Sequence, residues 1–357
     1  MESRTVIICP ELAGGGVGDY TRQLLHHLPR VPDLRLVIPK IGSRSLRSFE
    51  GYSVEETAST TGDLCGRLPQ VGGKVLVQYS AYGFSAYGYP RWLIKALIEW
   101  KKQSRGFLGV MFHEIWTFWP IWNKNYLLQN LHRRDLGQLL QVADAVFTST
   151  PSQAEHLTAL SPQCAVQVLP VGTNVRVIES NDEEREPGAA VLFGLQRLRI
   201  RTLKKMLPEL KALAAAGVIT KVVTAGAGRS TEGDDQESAL LMDLDLSNGF
   251  DQRGPLPEEK ISEQLSTSAF GISAQDELSI MKSSTLMAYA AHGLNVISCY
   301  ANPAKREPLS IMIAPDELLK GIAEPELRSR SEKFRQWQER TSSWPNIANH
   351  VARVMRW

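Results

Sequence analysis

The sequence predicts an α/β protein in two halves. Three observations carry that prediction. Short β-branched apolar runs alternate with segments whose apolar residues recur at helical spacing, as expected for parallel strands covered by helices on both faces. The alternation stops at the acidic, polar stretch 179–188 (ESNDEEREPG) and then begins again. The chain has 357 residues, enough for about two domains with separate cores.

The elements follow in order. Residues 5–9 (TVIIC), closed by Pro10, read as a buried strand. A glycine-rich loop leads to a helix on which Tyr20, Leu24, Leu25 and Leu28 share a face, with Pro29 beyond it. Strands are expected at 34–38, 74–78, 107–112, 144–149 and 166–169, and an apolar helix at 92–100. Ser152, with Glu155 three residues on, is the expected cap of the helix before 166. After the polar stretch, strands are expected at 190–193, 222–225, 270–273 and 295–298. Helices are expected through Leu203, Met206, Leu207, Leu210 and Leu213, and at 284–292. The last residues are helical in character and carry Trp337, Trp344 and Trp357.

Composition narrows the function. Lys+Arg number 40 against 38 Asp+Glu, a formal charge of +2, without the basic excess of a protein that coats nucleic acid. Cys9, Cys65, Cys164 and Cys299 form no C-x-x-C pair, so they read as thiols of a reducing compartment rather than a zinc or redox site. No apolar run reaches the roughly 18–20 residues that span a bilayer, and the start is too short in its apolar part for a signal peptide. A cytoplasmic location is expected, with a peripheral membrane contact left open.

Several motifs can carry chemistry. The loop Gly14-Gly15-Gly16-Val17-Gly18-Asp19 joins a strand to a helix, where backbone N–H groups can approach an anion. It serves equally well as a tight turn. The dinucleotide fingerprint fails because Asp19 stands where its third glycine belongs, and the P-loop fails because Val75 follows Gly73-Lys74. His113 follows a strand, at the end where open α/β sheets bind ligands. A zinc protease would need a second His at 117, which is Thr117. Trp116, Phe118, Trp119 and Trp122 can form a stacking wall or simply pack. Arg197, Arg199 and Arg201 follow Gly194, and one or two of them suit a diphosphate clamp. Lys282-Ser283-Ser284-Thr285 opens a helix, as a cap or as a phosphate site. Asp276 and Glu277 lie just upstream. Gly226-Ala227-Gly228 ends a strand and lets a nucleotide, or only a turn, approach the backbone.

In order, these motifs resemble the GT-B glycosyltransferases of family 4. The series is GGVGDY, His113, ADAVFTSTPSQAEHL, LPVGTNV, a strand with glycine and basic residues, AGAG, GPLPEEKISEQLSTSAFGI and STLMAYAAHGLNVIS, over residues 5–300. MFHEIW, QYSAYGF and GYPRWL resemble its bacterial branch. The resemblance implies two Rossmann-like domains facing across a cleft. These are an acceptor-binding domain at 1–178, a linker at 179–188, a nucleotide-sugar-binding domain at 189–330, and a helical segment at 331–357 returning to the first domain.

It also implies retaining transfer of a sugar from a nucleotide-diphospho-sugar to an acceptor hydroxyl, in polysaccharide or glycoconjugate biosynthesis, without metal or other cofactor. The implied catalytic residues are His113, Gly16 and Glu277, with Glu277 or Asp276 replacing a family carboxylate. The implied donor-binding residues are Gly15, Gly16, Arg197, Arg201, Gly226, Gly228, Lys282, Ser283, Ser284 and Thr285. Tyr82, Trp116 and Trp119, with Tyr79, Phe84 and Tyr87, are expected to line the acceptor side, whether the acceptor is a glycan, a lipid-linked sugar or a small molecule. The family's paired glutamates fall on Ile280 and Ala288. That departure motivates a competing reading, a binding or scaffold protein on a decayed transferase fold. A nicotinamide oxidoreductase is disfavoured by the failed fingerprint.

Overall fold

The computed structural model describes residues 5–12, 15–40, 46–116, 122–123, 126–178, 185–228 and 230–357. The chain divides into two compact units, Met1–Pro170 with Trp344–Trp357, and Val171–Ser343.

Unit 1 contains strands β1 (Thr5–Ile8), β2 (Leu34–Pro39), β3 (Ser48–Phe49), β4 (Tyr52–Thr57), β5 (Lys74–Tyr79), β6 (Phe107–Phe112), β7 (Ala145–Thr148) and β8 (Val166–Val168). Between them lie helices α1 (Gly16–His27), α2 (Thr61–Arg67), α3 (Ala81–Phe84), α4 (Arg91–Ser104), α5 (Tyr126–Val142) and α6 (Pro151–Leu160). The strand order is β3-β4-β2-β1-β5-β6-β7-β8, parallel throughout except for the β3–β4 pair. β1 is buried along its whole length because helices cover both faces of the sheet. The connections run outward in opposite directions from β1 and β5, so the topological switch point lies between their C-terminal ends.

Unit 2 contains β9 (Glu186–Phe193), β10 (Lys221–Ala225), β11 (Phe250–Gly254), β12 (Ser268–Ser273) and β13 (Asn295–Ser298). Its helices are α7 (Gln196–Ala215), α8 (Thr231–Met242), α9 (Glu258–Thr267), α10 (Ser284–Ala291), α11 (Pro315–Leu319) and α12 (Glu324–Ser342). The order β11-β10-β9-β12-β13 is parallel, and its switch point lies between β9 and β12.

The domain boundaries differ from the sequence expectation. The units part between Pro170 and Val171, before the polar stretch. The described end of that stretch is not a free linker. Arg185 donates to the carbonyls of Ser268 (2.7 Å) and His292 (2.5 Å), and β9 starts at Glu186. At the other end α12 stays in unit 2, and only the last helix, α13 (Trp344–Met355), belongs to unit 1. Trp344, Ile347, Ala348, Val351 and Met355 are buried there, and α13 packs on α1. Gly109 in β6 leaves room for the Met355 thioether, which a side chain at 109 would strike.

The cap of α6 also differs. Thr150, not Ser152, accepts from Gln153 N at 3.3 Å, because Pro151 is suited to the first helical position and moves the cap one residue upstream of it.

No helix among the described residues is long and apolar enough to cross a membrane. Trp344→Ala should destabilise unit 1 by about 3–5 kcal/mol, since it empties a large buried site. Urea unfolding would measure this, and a loss below about 1 kcal/mol would show that α13 contributes little.

Candidate functional site

In unit 2, β9 and β10 both end in glycines at positive φ, Gly194 (128°) and Gly226 (126°). Their backbones touch. Gly194 N donates to Ala225 O at 3.0 Å, and a Cβ on Gly226 would stand 3.0 Å from Gly194 N. Gly226 N donates to Gly254 O at 2.7 Å, and Gln196 N to Ala227 O at 2.9 Å. Gly228 (φ 83°) then turns the chain beside the start of α7. A Cβ on Gly194 would lie 3.0 Å from Thr285 Oγ1, so the N-terminus of α10 abuts the end of β9. Ser283 acts as its cap, with Oγ accepting from Leu286 N at 3.1 Å. Ser284 and Thr285 contribute the first helical N–H groups, which lack intrahelical acceptors. The glycine N–H groups are thus spent on carbonyls, and the donors of this cradle between β9, β10 and α10 are the Ser284 and Thr285 N–H groups. Such a surface suits an anion.

The three arginines separate. Arg199 is 1% exposed and pairs with Glu237, itself 0% exposed, through Nε–Oε1 at 2.6 Å and Nη2–Oε2 at 2.8 Å. Its Nη1 donates to Gly194 O at 2.6 Å. It therefore braces the glycine turn from inside and is withheld from solvent. Arg197 and Arg201 are exposed on the first turns of α7. Arg201 lies close enough to Asp276 to help, after the Ser279 hydroxyl, to hold that carboxyl below its usual range. Lys282 is exposed at the end of the short turn before α10. Glu277 is exposed and pairs with Lys305 at 3.0 Å. Ile280 and Ala288 are buried in the apolar core, so no carboxylate could replace them without a charge being buried there.

In unit 1, Gly15 precedes α1 and accepts Asp19 N at 2.9 Å, and Gly16 is exposed. Gly18 packs against Leu12, where a Cβ would stand 3.1 Å from its backbone carbon. Glu11, which the sequence reading passed over, lies over Gly15 so closely that any side chain there would collide with its carboxylate. Partial burial, and then the charge of Asp19, raise the Glu11 pKa. Gly14 is outside the described residues.

His113 is buried. Its backbone N donates to Tyr79 O at 2.9 Å, and its Nε2 lies 2.7 Å from Gln78 Oε1. Tyr20 meets it edge-on at 4.7 Å and meets Trp344 in the same way at 5.0 Å. Gln78, Tyr20 and Trp344 were not site candidates because β5, α1 and the terminal helix each read as ordinary core.

The aromatic expectations divide. Tyr79 and Phe84 are core residues and line no surface, because their positions face the packed side of β5 and α3. Trp116 is buried, with Arg133 over its ring at 5.4 Å and His156 edge-on at 6.0 Å, and it lines a small recess together with Tyr87. Tyr82 is half exposed, its ring resting over Gly88, and Tyr87 is exposed. Trp119 and Phe118 lie outside the described residues. Among the described residues no group of three or more His, Cys, Asp or Glu is placed to hold a metal ion.

Two α/β units built on parallel sheets make up the GT-B fold, which solved glycosyltransferase structures share with this chain. Sucrose-phosphate synthase from Thermosynechococcus elongatus matches with a TM-score of 0.64 at 13% identity, covering 99% of this chain and 98% of that one. HepE from Anabaena, in complex with UDP and glucose, matches at 0.61 and 10% identity over 99% of both chains. WaaG, a glycosyltransferase involved in lipopolysaccharide biosynthesis, matches at 0.61 and 14% identity, covering 98% of this chain and 99% of that one. No family model matches the sequence, and no curated protein matches it.

Glu237→Ala should destabilise unit 2 by about 3–5 kcal/mol by leaving the Arg199 guanidinium buried and unpaired. Chemical denaturation tests it, and near-neutral stability would show that Arg199 reaches water. Two further groups make stability depend on pH. Burial lowers His132, which hydrogen-bonds Tyr79, to about 4. It also lowers His292, which donates to Ala288 O and accepts from Ser262, to about 4. Unfolding restores both to about 6.5. The unfolded state then binds more protons between these values, so stability should fall as pH drops from about 6.5 to 4. His292→Gln should flatten that slope in denaturation midpoints measured across this window.

Proposed function

We propose that the protein is a glycosyltransferase that takes a sugar from a nucleoside-diphosphate sugar and passes it to an acceptor hydroxyl. The observation that carries this reading is the cradle of unit 2, where Gly194 and Gly226 bring two strand ends into contact beside the N-terminus of α10. A diphosphate there would meet the Ser284 and Thr285 N–H groups, with Lys282, Arg197 and Arg201 exposed around it. These donors would meet the negative charge that develops on the departing nucleoside diphosphate. The complexes of HepE with UDP and glucose, and of an alpha-glucosyltransferase with UDP-glucose and DNA, support the choice of donor class.

In unit 1, Gly15 and Gly16 open α1, and His113 follows β6, beside β5; there His113 would hold the transferred sugar by a hydrogen bond. The acceptor would bind on the same unit, near Tyr82. Retention of configuration, independence from metal, membership of family 4 in its bacterial branch and a cytoplasmic location belong to the same reading and rest on the sequence resemblance. Glu277 is given no part in it beyond its pairing with Lys305.

Lys282→Ala should weaken binding of the nucleoside diphosphate about 10- to 100-fold, as loss of a charge-assisted contact would. His113→Ala should lower turnover while leaving that affinity unchanged. Calorimetry and donor-turnover assays on both variants test the assignment. If no uridine, guanosine or thymidine diphosphate binds the wild type, the transferase reading fails. Tight binding with no transfer from any donor would favour the scaffold reading.

A further inference from the structure

We propose that Glu11 receives the attacking hydroxyl of the acceptor, and that the acceptor carries no negative charge where it meets this carboxylate. This rests on the transferase reading above and assigns the acceptor site within it.

The loop that follows β1 is fixed from three sides. Cys9 Sγ donates to Glu11 O at 2.7 Å and lies 3.3 Å from Thr21 Oγ1 of α1. Leu12 is buried, and α1 approaches so closely that a Cβ on Gly18 would stand 3.3 Å from Glu11 O. Pro10 packs on α3, where a Cβ on Gly83 would stand 2.7 Å from the Pro10 Cβ. The Glu11 backbone is thereby set just past the carboxyl end of β1, the strand beside β5 at the switch point of this sheet. Open parallel sheets bind ligands at that edge.

Gly15 makes room for the carboxylate. Its φ of −145° and ψ of 162° are extended values that any residue adopts, so the backbone does not call for glycine here. Space does, because a Cβ at 15 would fall on Glu11 Oε1.

A structural use does not account for the group. A carboxylate capping α1 would accept first-turn N–H groups, and its pKa would fall. Among the described residues the Glu11 carboxylate accepts no hydrogen bond and pairs with no cation. Its pKa is raised instead, by partial burial and then by the charge of Asp19. On α1, Arg22 is taken by Asp19 at 3.0 Å and by Glu50 at 3.8 Å. An unpaired, partly desolvated carboxylate costs stability, and a ligand that donates to it removes the cost.

The chemistry of the partner follows. An ionised carboxylate only accepts, so the ligand must donate, and a phosphate or a second carboxylate would be repelled. The diphosphate of the donor is therefore excluded from this place, and the hydroxyl of a neutral acceptor fits it. Tyr82, 46% exposed, precedes Gly83 on α3 and gives a sugar ring an aromatic face on the neighbouring element.

The test uses the full chain and compares transfer from nucleoside-diphosphate sugars to neutral methyl glycosides with hydrolysis of the same donors. Glu11→Gln should lower the ratio of transfer to hydrolysis about tenfold, as loss of a charge-assisted hydrogen bond would, with nucleoside-diphosphate affinity unchanged. Its melting temperature should equal or exceed that of the wild type. Gly15→Ala, which displaces the carboxylate, should reproduce the loss of transfer, and the double variant should lose no more than either alone. A lower melting temperature in Glu11→Gln would give the carboxylate a structural partner and overturn the proposal. An unchanged ratio overturns it too, whether both activities hold or both fall equally; an equal fall would place Glu11 on the transferred sugar. So does a wild type that binds nucleoside diphosphate yet transfers to none of the neutral glycosides. Failure of the wild type to bind any nucleoside diphosphate would overturn the transferase reading instead, and the melting temperatures would still decide whether the carboxylate has a structural partner.

Discussion

The buried pair of Arg199 and Glu237 is the interaction on which unit 2 depends. Neither side chain reaches solvent, and a charge in that position is tolerated only when it is paired and hydrogen-bonded. Glu237 brings α8, Arg199 brings α7, and the third donor of the guanidinium goes to the Gly194 carbonyl. Gln252, from β11, completes the set through Nε2 to Glu237 Oε2 at 3.1 Å. Two helices, the end of β9 and the middle of β11 are thus tied to one ion pair. With the Gly194 carbonyl held inward, its positive-φ turn faces Thr285 and the start of α10. The cradle is the outer face of a structure whose inner face is an ion pair.

Unit 1 achieves a similar effect without charge. His113 is held by a neutral amide, an aromatic edge and the sheet ladder. The aromatic edge belongs to Tyr20, which Trp344 supports from the last helix. The end of the chain therefore contributes to the surroundings of a residue far earlier in sequence. The two units share a topology and differ in how they secure their switch points, one by buried electrostatics and one by packing and neutral hydrogen bonds.

Strands with a strong apolar signal were legible to within a residue or two, as with 107–112 and 295–298. β4 (YSVEET) and β11 (FDQRG) were missed because they lie toward sheet edges and carry charged or polar side chains that a buried strand would not. Turns at Gly226 and Gly228 were legible, since a turn at positive φ selects for glycine. The functions of neighbouring side chains were not. Arg197, Arg199 and Arg201 look alike in a row, yet helical geometry turns the middle one into the core and leaves the other two exposed. Tyr79 and Phe84 look like recognition aromatics, and packing absorbs both.

By itself the sequence determined the alternation of strands and helices, the doubling of the α/β unit and the places where backbone must turn without a side chain. All of these follow from local patterns, because strand period, helix period and glycine freedom act over a few residues. Tertiary structure decided the rest. It set the break at Pro170, assigned only α13 to unit 1, drew Arg185 into the second sheet, paired Arg199 with Glu237 and placed Gln78 against His113. Each depends on residues distant in sequence: α13 is held by apolar burial, and the contacts of Arg185, Arg199 and Gln78 by buried polar groups, conditions that no local pattern expresses.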